Sequence, residues 1–395
     1  MFGPYLLIHW VILFVLVFCA LTLIGNLIVF RGLRPANPPA RPPLVSILVP
    51  ARNEERNIRA CVASLLGQDY PNWELLVLDD HSTDATGEIA RELFRGHSGK
   101  QKLEVIQGET LPGGWVGKNW ACHQLGKSAR GDFLFFTDAD TAHAPGTVTA
   151  AVAFAQKHRA DLVSAWPRMI TKTLGEKLII PIILVVGFAM CPHWLAVLLQ
   201  RFPAVARRLP KSVLRAVGGA NGQFMFWSRE GYTRIGGHER VKNNVVEDVA
   251  LGREVAEHIG SGLRLFNCES LQFSTVRMYH SFGETWAGFT KNLRAIFEER
   301  EVAFWLFLLG MWGCFLVPCF RWLWANDVVR PYALAELALV VAIRFAVTWR
   351  FKLTWVGALL HPLGVGVVIA CALQSWRLSH TRGVEWKGRT YRPEI

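Results

Sequence analysis

The sequence predicts an α/β domain, a mostly parallel sheet sandwiched by helices, attached to membrane-spanning helices at its N- and C-terminal ends. Two observations carry this. Between Leu44 and Pro167, short apolar runs alternate with segments of helical period, and strand, helix, strand in alternation means parallel pairing. Outside that region lie apolar runs long enough to cross a bilayer. With 51% hydrophobic and only 19% charged residues, 16 Trp and 24 Phe, the chain is more apolar than a soluble domain usually is.

The elements follow in order. Tyr5 to Phe30 is a run of 26 residues without Asp, Glu, Lys or Arg, enough to span a membrane at about 1.5 Å per residue. It lacks a basic leading region, so residues 1–30 read as an uncleaved anchor rather than a signal peptide. RGLRPANPPARPP (31–43), with three Arg, five Pro and no acid, reads as an extended linker at the cytoplasmic face. The domain after it, 44–300, is therefore expected in the cytoplasm. Its strands are LVSILVP, WELLVLDD, LEVIQG, DFLFFTDAD and DLVSAWP, and its helices fall at 54–66, 85–95, 117–129 and 145–158.

LIIPIILVVGFAMCPHWLAVLLQ (178–200) is also long enough to span, but a single crossing there would separate acidic motifs that must share one aqueous site. Residues 174–200 are read as an interfacial or re-entrant pair broken near Pro192, with a buried core helix pair almost equally compatible. In the C-terminal region, 301–376, good spans lie at 302–320 and 353–376. The run 332–349, interrupted by Glu336 and Arg344, is a doubtful one. If the basic tail, 377–395, is cytoplasmic, an even number of segments must cross after residue 300. Either 332–349 does not span or the tail lies on the other side.

Composition excludes disorder, collagen and a disulfide scaffold. The eight Cys form no CxxC pair and several lie in apolar runs, as buried reduced thiols do. A formal charge of +12 is compatible with basic membrane flanks, and no nucleic-acid recognition signature accompanies it, so nucleic acid is not an expected partner.

The chemistry sits at strand ends, where a parallel sheet places its ligands. Asp79 and Asp80 end one strand; Asp80 could accept hydrogen bonds from a base or ribose, or either acid could simply satisfy loop backbone donors. FLFFTDADT brings two carboxylates, Asp138 and Asp140, out of a buried apolar strand. A hard divalent cation explains such a pair, since Mg²⁺ commonly joins one or two carboxylates to substrate phosphates. NNVVEDVALGREV (243–255) puts Glu247 and Asp248 at a helix start, where an acid can merely complement the helix dipole. FTKNLRA (289–295) puts Lys291 and Arg294 on one helical face, suited to a pyrophosphate, to water or to lipid headgroups.

In order along the chain, PARNEE (50–55), LGQDYP (66–71), VLDDHSTD (77–84), TDAD (137–140), GGANGQF (218–224) and VED (246–248) resemble family 2 glycosyltransferases of the GT-A type. These are inverting enzymes that use a nucleotide-diphospho-sugar, and the resemblance covers about residues 44–300. LPGGWVGKNWAC (111–122) and WKGRTY (386–391), with membrane helices at both ends, further resemble the bacterial carotenoid- and hopanoid-associated branch. The resemblance implies that Pro50, Ala51, Arg52, Glu54, Asp80 and Asp138 bind the donor nucleotide, and that Asp138 and Asp140 hold Mg²⁺ or Mn²⁺. It implies further that Lys118 and Arg294 meet the diphosphate, that Asn221, Gln223 and Glu247 line the acceptor side, and that Asp248 is the catalytic base. Processive polysaccharide synthases carry Gln-x-x-Arg-Trp where this chain has KNLRA, which argues against a polymerase.

The expected protein is thus a multi-pass enzyme of the inner (plasma) membrane. It moves a sugar, with a UDP-sugar the first choice of donor, to a membrane lipid, a hydroxyl of a carotenoid or hopanoid being the first choice of acceptor. The rivals are a polyprenyl-phosphate sugar synthase, whose anionic acceptor needs no general base, and a noncatalytic membrane protein that binds sugar nucleotides.

Overall fold

The computed structural model describes residues 3–298, 300–381 and 383–391; the first two residues of the expected anchor and the last four of the tail lie outside these. The chain divides into two compact units. One comprises Phe30–Met169 and Leu195–Arg277, the other Met1–Val29, Ile170–Trp194 and Met278–Ile395.

The first unit is the expected α/β domain. Its strands are β1 (Val45–Ala51), β2 (Trp73–Asp79), β3 (Lys102–Gln107), β4 (Phe133–Phe136), β5 (Thr141–His143), β6 (Leu162–Trp166), β7 (Arg168–Met169), β8 (Met225–Ser228), β9 (Leu265–Glu269) and β10 (Ser274–Val276). Seven of them form one sheet in the order β3-β2-β1-β4-β8-β6-β9. All its pairings are parallel except those of β8, which runs antiparallel to both β4 and β6. A small second sheet, β5-β10-β7, stands beside it.

Side-chain alternation builds a core on each face of the sheet. Val45, Ile47 and Val49 join Ile58, Val62, Val148 and Val152 from the helices Ile58–Leu66 and Thr147–His158. Leu48, Leu76, Leu78 and Phe136 join Leu125, Leu251 and Val255 from the helices Gly117–Ser128 and Glu247–Glu257. A sheet covered on both faces needs strands that are apolar throughout, which is how these strands read. The chain progresses in one direction from β1 to β3 and in the other from β4, so the crevice beyond the carboxyl ends of β1 and β4 is the sheet's switch point.

β8 has no counterpart in the expected strand list, where residues 215–237 read as one Gly-rich stretch. Only four residues, MFWS, form it, too short a run to show a period. Its placement between β4 and β6, with Trp227 fully buried, is a tertiary outcome.

The second unit is helical. Among the described residues five stretches are long and apolar enough to cross a membrane: Leu6–Val29, Leu174–Arg201, Glu301–Arg321, Arg330–Arg350 and His361–Ser379. The second is interrupted at Cys191 and Pro192, between a π turn, Val186–Met190, and the helix His193–Arg201, where the sequence places a break. The doubtful run at 332–349 forms part of an unbroken 21-residue helix. Its two charges are turned inward: Glu336 meets His9 Nδ1 at 2.7 Å, both fully buried, and Arg344 Nη1 donates to Thr348 Oγ1 at 3.1 Å. Leu334, Val341, Phe345 and Trp349 are left on the outer side, so the charges do not break the apolar surface. The helix Phe282–Ala295, expected within the catalytic domain, belongs to this unit; Trp286 Nε1 donates to Gln374 and the Arg294 backbone N–H to Ser375 Oγ.

One close approach in the α/β unit controls the loop at 218–222. Gly252, on the helix Glu247–Glu257, lies so near that loop that an added Cβ would stand 2.4 Å from the Gly219 carbonyl carbon and 2.6 Å from the Ala220 nitrogen. Both are backbone atoms and cannot swing aside. Gly252→Ala is expected to destabilise the protein by about 1–3 kcal/mol, as overpacking does; an unchanged thermal midpoint in detergent would contradict the packing described.

Candidate active site

The loops that follow β1 and β2 are laced together. Arg52 Nη1 donates to the Asp80 carbonyl at 2.5 Å, the Asn53 side-chain carbonyl accepts from Thr83 N at 2.8 Å, and Glu54 N donates to Thr86 Oγ1 at 2.7 Å. Asn53 and His81 both adopt positive φ, 51° and 53°, conformations that Asn and His tolerate better than most residues. Asp80 N donates to the Ala51 carbonyl at 2.8 Å, so Pro50, Ala51, Arg52, Glu54 and Asp80 share one wall. The two acids of VLDD divide their roles. Asp79 Oδ1 accepts from Ser82 N at 3.0 Å and closes the turn, which is loop architecture; Asp80 stands at the crevice.

Across the crevice, Lys118 on the helix Gly117–Ser128 links two other motifs. Its Nζ lies 2.6 Å from Asp138 Oδ1 and 2.7 Å from Glu247 Oε1. Burial disfavours its charge, but Asp138 and then Glu247 outweigh that and hold the ammonium well above the usual lysine value. Asp248, beside Glu247, accepts from Gly222 N at 2.8 Å and from Val249 N at 2.8 Å. A Cβ on Gly222 would stand 3.2 Å from Asp248 Oδ2 and 3.3 Å from Lys118 Nζ, so the three groups converge where Gly leaves room. Burial first, and then the Glu247 charge, push the Asp248 carboxyl up to about 6, against the pull of Lys118 and the two backbone donors. A half-buried carboxylate lifted this far is suited to accepting a proton near neutral pH.

The loop carrying Asn221 and Gln223 is held from below. Asn221 N donates to Ser164 Oγ at 2.7 Å, Asn267 Nδ2 donates to the Gly219 carbonyl at 3.0 Å, and the Gln223 carbonyl accepts from Thr137 Oγ1 at 2.8 Å. The Asn221 side chain turns back on Gln223 N at 3.0 Å. Among the described residues no three His, Cys, Asp or Glu side chains converge on a metal-sized point. The donor set is two carboxylates, Asp138, engaged with Lys118, and Asp140, whose Oδ1 accepts from Thr141 Oγ1 at 3.3 Å. Such a pair fits Mg²⁺ or Mn²⁺ when phosphate oxygens complete the shell.

The α/β unit thus carries every expected site residue except Arg294. That arginine lies in the helical unit, where its guanidinium pairs with Glu301, donates to the Glu298 carbonyl and lies 5.7 Å from the Phe304 ring centre. Sequence reasoning missed Asn119. Fully buried, its amide nitrogen faces the carbonyls of Val241 (2.7 Å), Lys242 (3.2 Å) and Asn244 (2.9 Å), the turn that leads into Glu247 and Asp248. The signal was its place beside Lys118 in WVGKNWA, where the adjacent charge drew the attention.

The mixed α/β sheet, mostly parallel and covered by helices on both faces with its crevice at the switch point, is a GT-A type fold. Comparison with known proteins gives the resemblance: residues 46–186 match the sequence model of glycosyl transferase family 2. The 4,4'-diaponeurosporenoate glycosyltransferase of Staphylococcus aureus strain USA300 is 27% identical over 357 residues, 88% of each chain. The mannosyltransferase PcManGT from Pyrobaculum calidifontis, solved with GDP-Man and Mn²⁺, aligns at TM-score 0.49 and 18% identity over 92% of this chain and 99% of that one. S. aureus TarS 1–349 with UDP-GlcNAc aligns at 0.39 and 16%, over 89% and 99%.

Asn119→Ala removes the buried donor that serves the 241–244 turn and is expected to cost about 1–3 kcal/mol of stability. The comparison is the thermal midpoint of the variant against wild type, and equality within error would deny Asn119 this role.

Proposed function

We propose that the protein transfers a sugar, with inversion, from a nucleotide-diphospho-sugar to a carotenoid-type lipid acceptor at a membrane surface. The observation that carries this is the Asp248 carboxylate, raised toward neutral pH and standing beside the Lys118 ammonium that also touches Asp138. The acceptor oxygen would attack the anomeric carbon as the bond to the diphosphate breaks. Asp248 takes the acceptor proton, and the electron pair leaves on the diphosphate, which Lys118 helps to stabilise. The wall of Pro50, Ala51, Arg52, Glu54 and Asp80 would hold the nucleotide, and Asn221, Gln223 and Glu247 would face the acceptor. A Mg²⁺ or Mn²⁺ ion on Asp138 and Asp140 would supply further charge neutralisation at the diphosphate.

The acceptor class is supported by the S. aureus relatives, whose name gives them diaponeurosporenoate. That name denotes a carotenoid carboxylate, which favours a second reading in which the product is a sugar ester. A hydroxyl acceptor needs the base and gives an alkali-stable glycoside; a carboxylate acceptor does not need it and gives an alkali-labile ester.

A membrane location is supported by the five apolar helices. Of these, Leu174–Arg201 would not cross once. β6 precedes it and β8 follows it, yet the two are adjacent antiparallel strands, Leu162 opposite Trp227, so the chain must come back on the side it left. This favours the interfacial or re-entrant form.

Asp248→Asn is expected to keep donor binding and lower turnover roughly 10²-fold or more. In wild type kcat/KM should fall as pH drops through about 6, because a raised carboxyl pKa means protonation, and loss of the base, begins there. Near-wild-type turnover in the variant, with labelled lipid released by mild alkali, would establish the carboxylate reading. Since only two carboxylates are offered, Mn²⁺ should bind weakly alone and more tightly with a nucleoside diphosphate, and a chelator should abolish turnover. Calorimetry showing equal affinity with and without UDP or GDP would oppose this assignment of Asp138 and Asp140.

A further inference from the structure

Residues 195–217 of the α/β unit, LAVLLQRFPAVARRLPKSVLRAV, contain five basic residues and no acid. Short helical pieces, including Pro203–Ala206 and Lys211–Ala216, turn Ala196, Leu199, Ala206, Leu214 and Val217 into the core. What remains outside is apolar as well. Leu198, Phe202, Val205 and Val213 are 41%, 55%, 51% and 40% exposed. Single exposed apolar residues need no explanation, but four large ones in one short basic segment mark an interaction face.

The charges say what kind of partner suits it. Lys211 pairs with Glu257, and Arg215 with Glu254 and Glu257. Arg201, Arg207 and Arg208 are exposed and have no acidic partner among the described residues. Exposed apolar side chains interspersed along one short segment with exposed arginines that have no acidic partner match a leaflet of anionic lipid, with hydrocarbon below and phosphate around. A second copy docking through the same face would set these arginines against their own symmetry mates, which is unfavourable.

We propose that this face is a peripheral membrane contact of the α/β unit itself: Phe202 and Val205 insert among the acyl chains of an anionic leaflet, and Arg201, Arg207 and Arg208 bind its phosphates. The contact begins in the last turns of the apolar stretch Leu174–Arg201 and extends beyond it through Phe202 to Val217. It rests on the membrane placement above and not on sugar transfer.

The test uses the full chain carrying Val205→Cys labelled with nitrobenzoxadiazole, and wild type treated in the same way corrects for native thiols. The protein is reconstituted into vesicles of phosphatidylcholine with phosphatidylglycerol, or of phosphatidylcholine alone, and flotation verifies incorporation. In the anionic vesicles the label should shift to shorter wavelength, be quenched by doxyl lipid and be shielded from aqueous acrylamide. Changing Arg201, Arg207 and Arg208 to Gln should lower the docked-to-free ratio about five-fold for each, the equivalent of about 1 kcal/mol per arginine near an anionic surface. A label open to acrylamide and untouched by doxyl lipid in both vesicles would overturn the proposal. So would shielding without lipid quenching that grows with protein density, since that would mark a second copy as the occupant. No donor or acceptor enters the experiment, so its result stands apart from that of the turnover assays.

Discussion

Asp138, at the end of β4, and Glu247, in the first turn of a helix more than a hundred residues later, would repel each other across the crevice if Lys118 did not stand between them. A shared ammonium 2.6 Å from one and 2.7 Å from the other turns that repulsion into the tie that closes the site. Breaking a partly buried pair by removing one partner leaves the other charge uncompensated, which is why such ties are costly to lose. The supporting contacts serve this arrangement. Asn119, next to Lys118, holds the turn at 241–244; Gly252 lets the 218–222 loop lie against the helix of Glu247; Ser164 and Asn267 hold that loop from the other side.

The same tie sets the electrostatics of Asp248. Its neighbour Glu247 stands next to it, and half-burial removes much of the solvent that would otherwise stabilise a negative charge there. Lys118 moderates the effect without cancelling it. A carboxyl that titrates near 6 is mostly ionised at neutral pH and still basic enough to take a proton. The chemistry proposed for this domain therefore follows from four side chains, Lys118, Asp138, Glu247 and Asp248, on two helices and one strand end, none of which acts alone.

Part of this was legible along the chain. The central parallel strands β1 and β2 could be read because each is buried on both faces and stays largely apolar, then ends abruptly in polar residues at the ligand edge, whereas β3, at the sheet's edge, is partly exposed. Asp138 and Asp140 stood out because two carboxylates leave a buried apolar strand together; Asp80 and Asp248 had ordinary structural alternatives, and they and Lys118 were singled out by the motif resemblance. Local pattern could not separate Asp79 from Asp80, since both end the same strand and only the turn geometry shows that Asp79 is occupied by Ser82 N. Nor could it place Arg294, whose pairing with Glu301 depends on how its helix ends. The helix Arg330–Arg350 looked doubtful because hydropathy counts Glu336 and Arg344 wherever they point, whereas burial beside His9 and Thr348 removes them from the outer surface.

The order of apolar runs and strand ends was enough by itself to determine the α/β domain and the flanking apolar helices, because these depend on local period and on which side chains can leave a buried strand. Tertiary structure alone decided that β8 inserts antiparallel between β4 and β6, that Lys118 bridges Asp138 to Glu247, and that Asn119 holds the approach to Asp248. Each of these depends on contacts between residues far apart in the chain, whose energies exist only when the intervening elements have packed.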